Sequence, residues 1–226
     1  YNTPIYLTMQ NYVITIGRQF GSGGRELGKL IASTFGIKFY DKQLLTEAAR
    51  HSGMNPELFE NADEKAPSFL NGMFAFNLGM NPTILCNCDN TISDESIYNQ
   101  QSEFIKMLAT KEPCVIVGRT ADYILRDHPH AVNIFVHAEM PDCVARIMKR
   151  GDCKSYAEAE AKARKINKLR AGFYNFYSDK RWGDATSYDL TFNSSKIKME
   201  DAVAIIAEYI RRRYGIEPIQ TPNVHR

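Results

Sequence analysis

The amino-acid sequence predicts an α/β fold, a doubly wound parallel sheet of five strands with helices on both faces. Three observations carry that expectation. Short β-branched or aromatic apolar runs occupy residues 12–16, 37–40, 114–117, 132–136 and 188–192. Stretches with apolar residues at helical spacing separate these runs. No tight hairpin signal joins any two of them, and strands that alternate with helices assemble into a parallel sheet covered on both faces.

Each element has its own signature. The run Tyr12-Val13-Ile14-Thr15-Ile16 ends at a glycine-rich stretch, after which Leu27, Leu30, Ile31 and Phe35 recur at helical spacing until Gly36 offers a C-cap. After strand 37–40, Asp41 stands at an N-cap position ahead of Leu44, Leu45, Ala48 and Ala49, and that helix ends near Gly53. Asn55-Pro56 reads as the N-cap and first position of a short helix to about Asn61. Residues 63–92 have weak periodicity and scattered Gly, Pro and Asn, which predicts an irregular insertion. From Ser93 a helix carries Ile97, Phe104, Ile105 and Leu108 on one face, leading to strand 114–117. Gly118-Arg119 opens a helix over 121–126, Pro141 opens one to Arg150, and a long helix spans about 155–178. A last amphipathic helix covers 199–213. Residues 12–213 then form one domain, with 1–11 as an N-terminal extension and 214–226 as a tail.

The chemistry gathers where strands end. In an open parallel sheet ligands bind beyond the carboxyl ends of the strands. The stretch Gly17-Arg18-Gln19-Phe20-Gly21-Ser22-Gly23-Gly24-Arg25-Glu26 lies there, between the first strand and a helix N-terminus whose first N–H groups lack intrahelical partners. Its four glycines let backbone approach a phosphate closely. The standard motif G-x-x-x-x-G-K-[ST] supplies a lysine for the phosphates and a hydroxyl for magnesium. Here Gly24 stands at the lysine position, Arg25 at the hydroxyl position, and the spacing from Gly17 to Gly23 is one residue too long. If ATP binds in the usual way, Arg18 or Arg25 must supply the missing charge. Without a ligand, the same glycines would make a tight strand-to-helix turn.

Composition narrows the class of protein. With 44% hydrophobic and 24% charged residues the chain is ordinary for a globular domain, and a formal charge of +2 gives no reason to expect nucleic acid or membrane as a partner. Five cysteines without a C-x-x-C pair suggest neither a disulfide framework nor a zinc site, so a reducing, cytoplasmic location is expected. No apolar run is long enough to span a bilayer.

Four ordered motifs together carry a resemblance. They are residues 16–26, Phe39-Tyr40-Asp41-Lys42, Val115-Ile116-Val117-Gly118-Arg119-Thr120-Ala121-Asp122-Tyr123-Ile124-Leu125 and Tyr188-Asp189-Leu190-Thr191-Phe192-Asn193-Ser194-Ser195. Over roughly residues 12–213 the chain resembles the cytidylate-kinase-like family of P-loop nucleoside monophosphate kinases. That resemblance implies a P-loop NTPase-type three-layer sandwich with a helical lid. It also implies transfer of the ATP γ-phosphoryl group to a nucleoside monophosphate, CMP or dCMP in true cytidylate kinases, with Mg2+. Small-molecule nucleotides are the expected partners, and the protein is expected to be a monomer or homodimer.

Candidate site residues follow from the motifs and the resemblance. Residues 146–181 hold eleven cations against four acids, an excess of seven, at the position of the lid and its phosphate-clamping arginines. Arg146 and Arg150 are assigned to the nucleotide with Arg18, Gly21, Ser22, Gly23, Gly24, Arg25 and Glu26 of the loop. Arg25, Arg119, Arg164 and Arg170 are the expected catalytic cations, since phosphoryl transfer needs charge neutralisation and positioning more than acids. Asp41, Arg119 and Asp122 are assigned to the acceptor, and Ser22 is a magnesium candidate. Each has a plainer alternative: a solvated helix face for the basic stretch, ion pairing with Asp122 or Asp127 for Arg119, helix capping for Asp41. The aromatic group Phe173, Tyr174, Phe176, Tyr177 and Trp182 packs helices or stacks on a base. If the missing lysine abolishes transfer, the same fold serves as a nucleotide-binding regulatory protein.

Overall fold

A computed structural model describes residues 11–53 and 94–219. In chain order the elements are β1 (Val13–Arg18), α1 (Gly24–Phe35), β2 (Lys38–Tyr40), α2 (Lys42–His51), α3 (Asp94–Lys111), β3 (Cys114–Val117), α4 (Ala121–Ile124), β4 (Ala131–His137), α5 (Met140–Lys149), α6 (Tyr156–Ser178), a 3-10 turn (Ala185–Ser187), β5 (Leu190–Asn193) and α7 (Met199–Tyr214). The expected helix at 55–61, the insertion at 63–92, residues 1–10 of the extension and residues 220–226 of the tail lie outside the described residues.

The strands form one parallel sheet in the order β2-β3-β1-β4-β5. β1 lies at its centre, with Ile16 level with Val117 on β3 and with Ile134 on β4. Alternation along β1 explains the two covered faces. Ile14 and Ile16, with Tyr12 just ahead of the strand, pack with Leu27, Ile31 and Phe35 of α1 and Val203, Ile206 and Ile210 of α7. Val13 points the other way, toward Leu45 of α2, Phe104 and Leu108 of α3 and Ile124 of α4. Because both sides are filled, the strands read as unbroken apolar runs. A third, smaller cluster of Val144, Ile147, Ala159 and Ala163 joins α5 to α6, with Phe20 of the glycine loop packed against it.

The ends of the elements obey local rules. Gly36 adopts φ +64° and its N–H caps the carbonyls of Ala32 and Ser33, a conformation that costs L side chains more than glycine. Asp41 accepts from the Leu44 N–H at 3.0 Å, and Ser155 accepts from the Glu158 N–H at 3.2 Å. Leu30 departs from the expected stripe and is 39% exposed, because α1 turns Leu27, Gly28, Ile31 and Ala32 to the sheet. Strand β1 runs two residues past the apolar run, so Arg18 belongs to the sheet rather than to the loop.

Candidate active site

The glycine loop is built to a tight specification. Gly21 and Gly23 both take φ +81°, and a Cβ on Gly21 would lie 2.7 Å from the Cys143 carbonyl oxygen of α5. Ser22 is fully buried. Its hydroxyl donates to the Gln19 carbonyl at 2.9 Å, and its own carbonyl accepts from the Ser194 hydroxyl at 2.7 Å. Arg146 ties the same region together, donating to the Gly21 carbonyl at 3.3 Å and to the Ser194 carbonyl at 3.1 Å. Helix α1 then begins without a side-chain cap, its first turn preceding the bond from Leu27 N–H to the Gly23 carbonyl at 2.9 Å. Those N–H groups and the helix dipole favour an anion.

A cleft opens beside this helix at the carboxyl ends of β1 and β3. Arg18, Arg119, Arg170 and Asp122 contribute its charges, and Phe173, Tyr174, Trp182 and Tyr188 form its aromatic wall. Arg119 and Arg170 are 2% and 8% exposed, so the positive charge is concentrated where water is scarce. Arg170 Nη1 donates to the Arg18 carbonyl at 3.3 Å, which joins α6 to the end of β1. Gly118, Arg119 and Thr120 are three consecutive residues with positive φ, at +79°, +62° and +54°. Such backbone is costly for a β-branched threonine. Here it turns the chain so that Arg119 lines the cleft. Burial pushes the Asp122 carboxyl above its ordinary range, partly opposed by the Tyr174 hydroxyl that donates to it at 2.6 Å.

Other expected residues stand elsewhere. Arg25 lies outside the cleft and pairs with Asp41 at 2.6 Å, with its guanidinium half exposed. Burial raises the Asp41 carboxyl, but the Leu44 N–H and the Arg25 guanidinium outweigh it and hold the group below its usual range. Glu26 is exposed in the first turn of α1. Arg150 pairs with Asp152 at 3.0 Å, and Arg164 pairs with Glu160 at 2.7 Å on the exposed face of α6. The basic stretch therefore divides: Arg170 turns into the cleft, Arg146 holds the loop, and Arg150 and Arg164 pair on the surface. In the aromatic group, Phe173 and Tyr174 line the cleft while Tyr177 stacks on Tyr98 of α3 at 4.0 Å.

Thr120 and Tyr188, to which the sequence motifs give no role of their own, also line the cleft. The Arg150 and Arg170 guanidiniums lie 5.2 and 5.5 Å from the Phe20 ring centre, and the Phe20 N–H donates to Asn167 Oδ1 at 2.8 Å. Metal ligation has a weaker basis. Among the described residues no group of three or more His, Cys, Asp or Glu side chains is placed to hold an ion. Asp122 is the one carboxylate among the lining residues, and the Ser22 hydroxyl is turned to Gln19. The residues fit phosphate oxygens well and offer magnesium little beyond Asp122.

Comparison with known proteins shows the family and the fold. The profile of the cytidylate kinase-like family matches residues 13–196. The chain belongs to that family. A crystal structure of an uncharacterized protein from Eubacterium ventriosum is similar, with 28% identity, a TM-score of 0.66, and coverage of 89% of this chain and 99% of that one. Shikimate kinase from Bacteroides thetaiotaomicron shares the fold at 14% identity and a TM-score of 0.50, over 88% of this chain and 98% of its own. No curated protein sequence matches the chain. The cytidylate kinase-like protein thus has the P-loop kinase fold, with the cleft at the carboxyl ends of β1 and β3.

Proposed function

We propose that this cytidylate kinase-like protein transfers the γ-phosphoryl group of ATP to a nucleoside monophosphate, CMP or dCMP by family resemblance, with Mg2+ accompanying ATP. One observation carries the reading: Arg18, Arg119 and Arg170, from distant parts of the chain, line one cleft, and the stem of Arg18 crosses the start of α1 at Gly24. Three like charges gathered in a partly buried cleft suit a ligand with several anionic groups. In this reading α1 and Arg18 take the donor phosphates, Arg119 holds the acceptor phosphate, and Arg170 neutralises charge between them. Magnesium, when bound, would shield the donor phosphates, with Asp122 within the same cleft. Residues 12–213 act as one kinase domain, and the α5–α6 region around 146–181 acts as its lid. Small-molecule nucleotides are the partners, the location is cytoplasmic, and the protein is a monomer or homodimer. Among the described residues no helix is long and apolar enough to cross a membrane.

A coupled ADP-release assay across NMPs, dNMPs and small phosphate or hydroxyl acceptors, with and without Mg2+, tests the proposal. Turnover with a nucleoside monophosphate is expected. A second reading, a nucleotide-binding regulatory protein, draws on Gly24, where the usual lysine is missing. Absence of turnover with every acceptor, together with ATP or CMP binding by calorimetry, would establish that reading instead.

A further inference from the structure

We infer that Arg18 is the donor-phosphate cation of this loop, delivered from the strand side in place of a helix-borne lysine, and that Gly24 is glycine to admit it. The inference rests on the phosphotransferase reading and gives a specific geometry to its donor half.

The steric observations are mutual. A Cβ on Gly24 would lie 2.6 Å from Arg18 Cβ and 3.2 Å from its Cγ, so a lysine cannot grow from that position while Arg18 is in place. A Cβ on Gly118 would overlap Arg18 Nη1 and lie 2.6 Å from its Cζ. The arginine therefore runs in a trough whose walls are glycine at both ends, from the last residue of β1 across the start of α1 to the end of β3. Its carbonyl is held by Arg170. The alternative cation of the loop, Arg25, is engaged by Asp41 outside the cleft, whereas Arg18 lines it. A lysine offers a point charge on a flexible stem, while a guanidinium offers a planar fork that bridges two oxygens. The missing lysine is thus one half of an exchange. The other half is an arginine whose stem fills the space that a side chain at position 24 would need.

The exchange predicts reciprocity. Arg18→Met should lower turnover with ATP by about 100-fold, the size expected when one preorganised charge is removed. By calorimetry it should cut the ratio of ATP to AMP affinity by roughly tenfold or more, since AMP lacks the phosphates the cation reads. Gly24→Lys alone should also impair both measures, because its side chain collides with Arg18. The double variant R18A/G24K, which clears the trough and restores a helix-borne lysine, should exceed either single variant. Wild-type ATP affinity and turnover in Arg18→Met would overturn the inference, as would full activity of Gly24→Lys alone or a double variant no better than the worse single. The two levels stay separable. A wild-type protein that binds no nucleotide defeats the phosphotransferase reading, whereas equal ATP binding by wild type and folded Arg18→Met defeats only the role of Arg18.

Discussion

At the scale of single residues, the cleft is governed by where charge is allowed to sit. Arg119 is nearly fully buried on strained backbone, so its guanidinium has little freedom to be replaced. Arg119→Lys keeps the charge but loses the planar fork, and turnover should fall by about 100-fold, with the acceptor KM rising, in steady-state assays. Unchanged kinetics would mean that Arg119 serves only the fold. Asp122 has the opposite problem, a carboxylate that burial makes costly to ionise. Its folded pKa lies above the ordinary 3.8, so its ionisation takes stability away as pH rises from that value through the raised one. Asp122→Asn removes this cost while keeping an acceptor for Tyr174. The variant should therefore gain stability over wild type at neutral pH, and the gain should vanish below the unfolded carboxyl pKa. Chemical denaturation across pH reads this directly, and a difference independent of pH would show that ionisation of Asp122 is not what burial penalises.

At the scale of elements, the link between the glycine loop and α6 passes through Phe20. Its ring lies near two guanidiniums and against the α5–α6 cluster, while its N–H is held by Asn167. Phe20→Ala should cost about 2 kcal/mol, less than a fully buried phenylalanine because the ring is only partly buried. Amide exchange should accelerate across α5 and α6 while β1 and β3 remain protected; uniform acceleration would contradict a local link. This contact also shows where reading the sequence stops. The five strands, Gly36 and Asp41 were legible because burial, left-handed backbone and capping leave local marks. Arg119 was legible because it follows a buried strand directly. The division of the basic stretch was not, since Arg164 and Arg170 differ only in helix face, and which face meets the cleft depends on how α6 packs against β1 and α3. The Arg25 to Asp41 pair and the trough around Arg18 likewise join residues from different elements. No spacing in the sequence records them.

At the scale of the whole molecule, the sheet order brings charges from distant parts of the chain to one edge. β1 in the centre places Arg18 beside Arg119 at the end of β3, and α6 returns across that edge to add Arg170. Such an arrangement suits a polyanionic ligand, and a ligand that binds only the native state couples its binding to global stability. At about 100 times its dissociation constant, ATP should stabilise the native state by about 2.7 kcal/mol. For a domain of this size that corresponds to a melting shift of roughly 5–10 °C. AMP at the same concentration should shift the melting point less, adenosine less still, and ATP together with the acceptor monophosphate more than either alone. Added salt should shrink the ATP shift while leaving the adenosine shift nearly unchanged, because only the former depends on charge. Equal shifts from adenosine and ATP would mean that the three arginines do not read phosphate, and the strand-end cleft would lose its claim to be the nucleotide site.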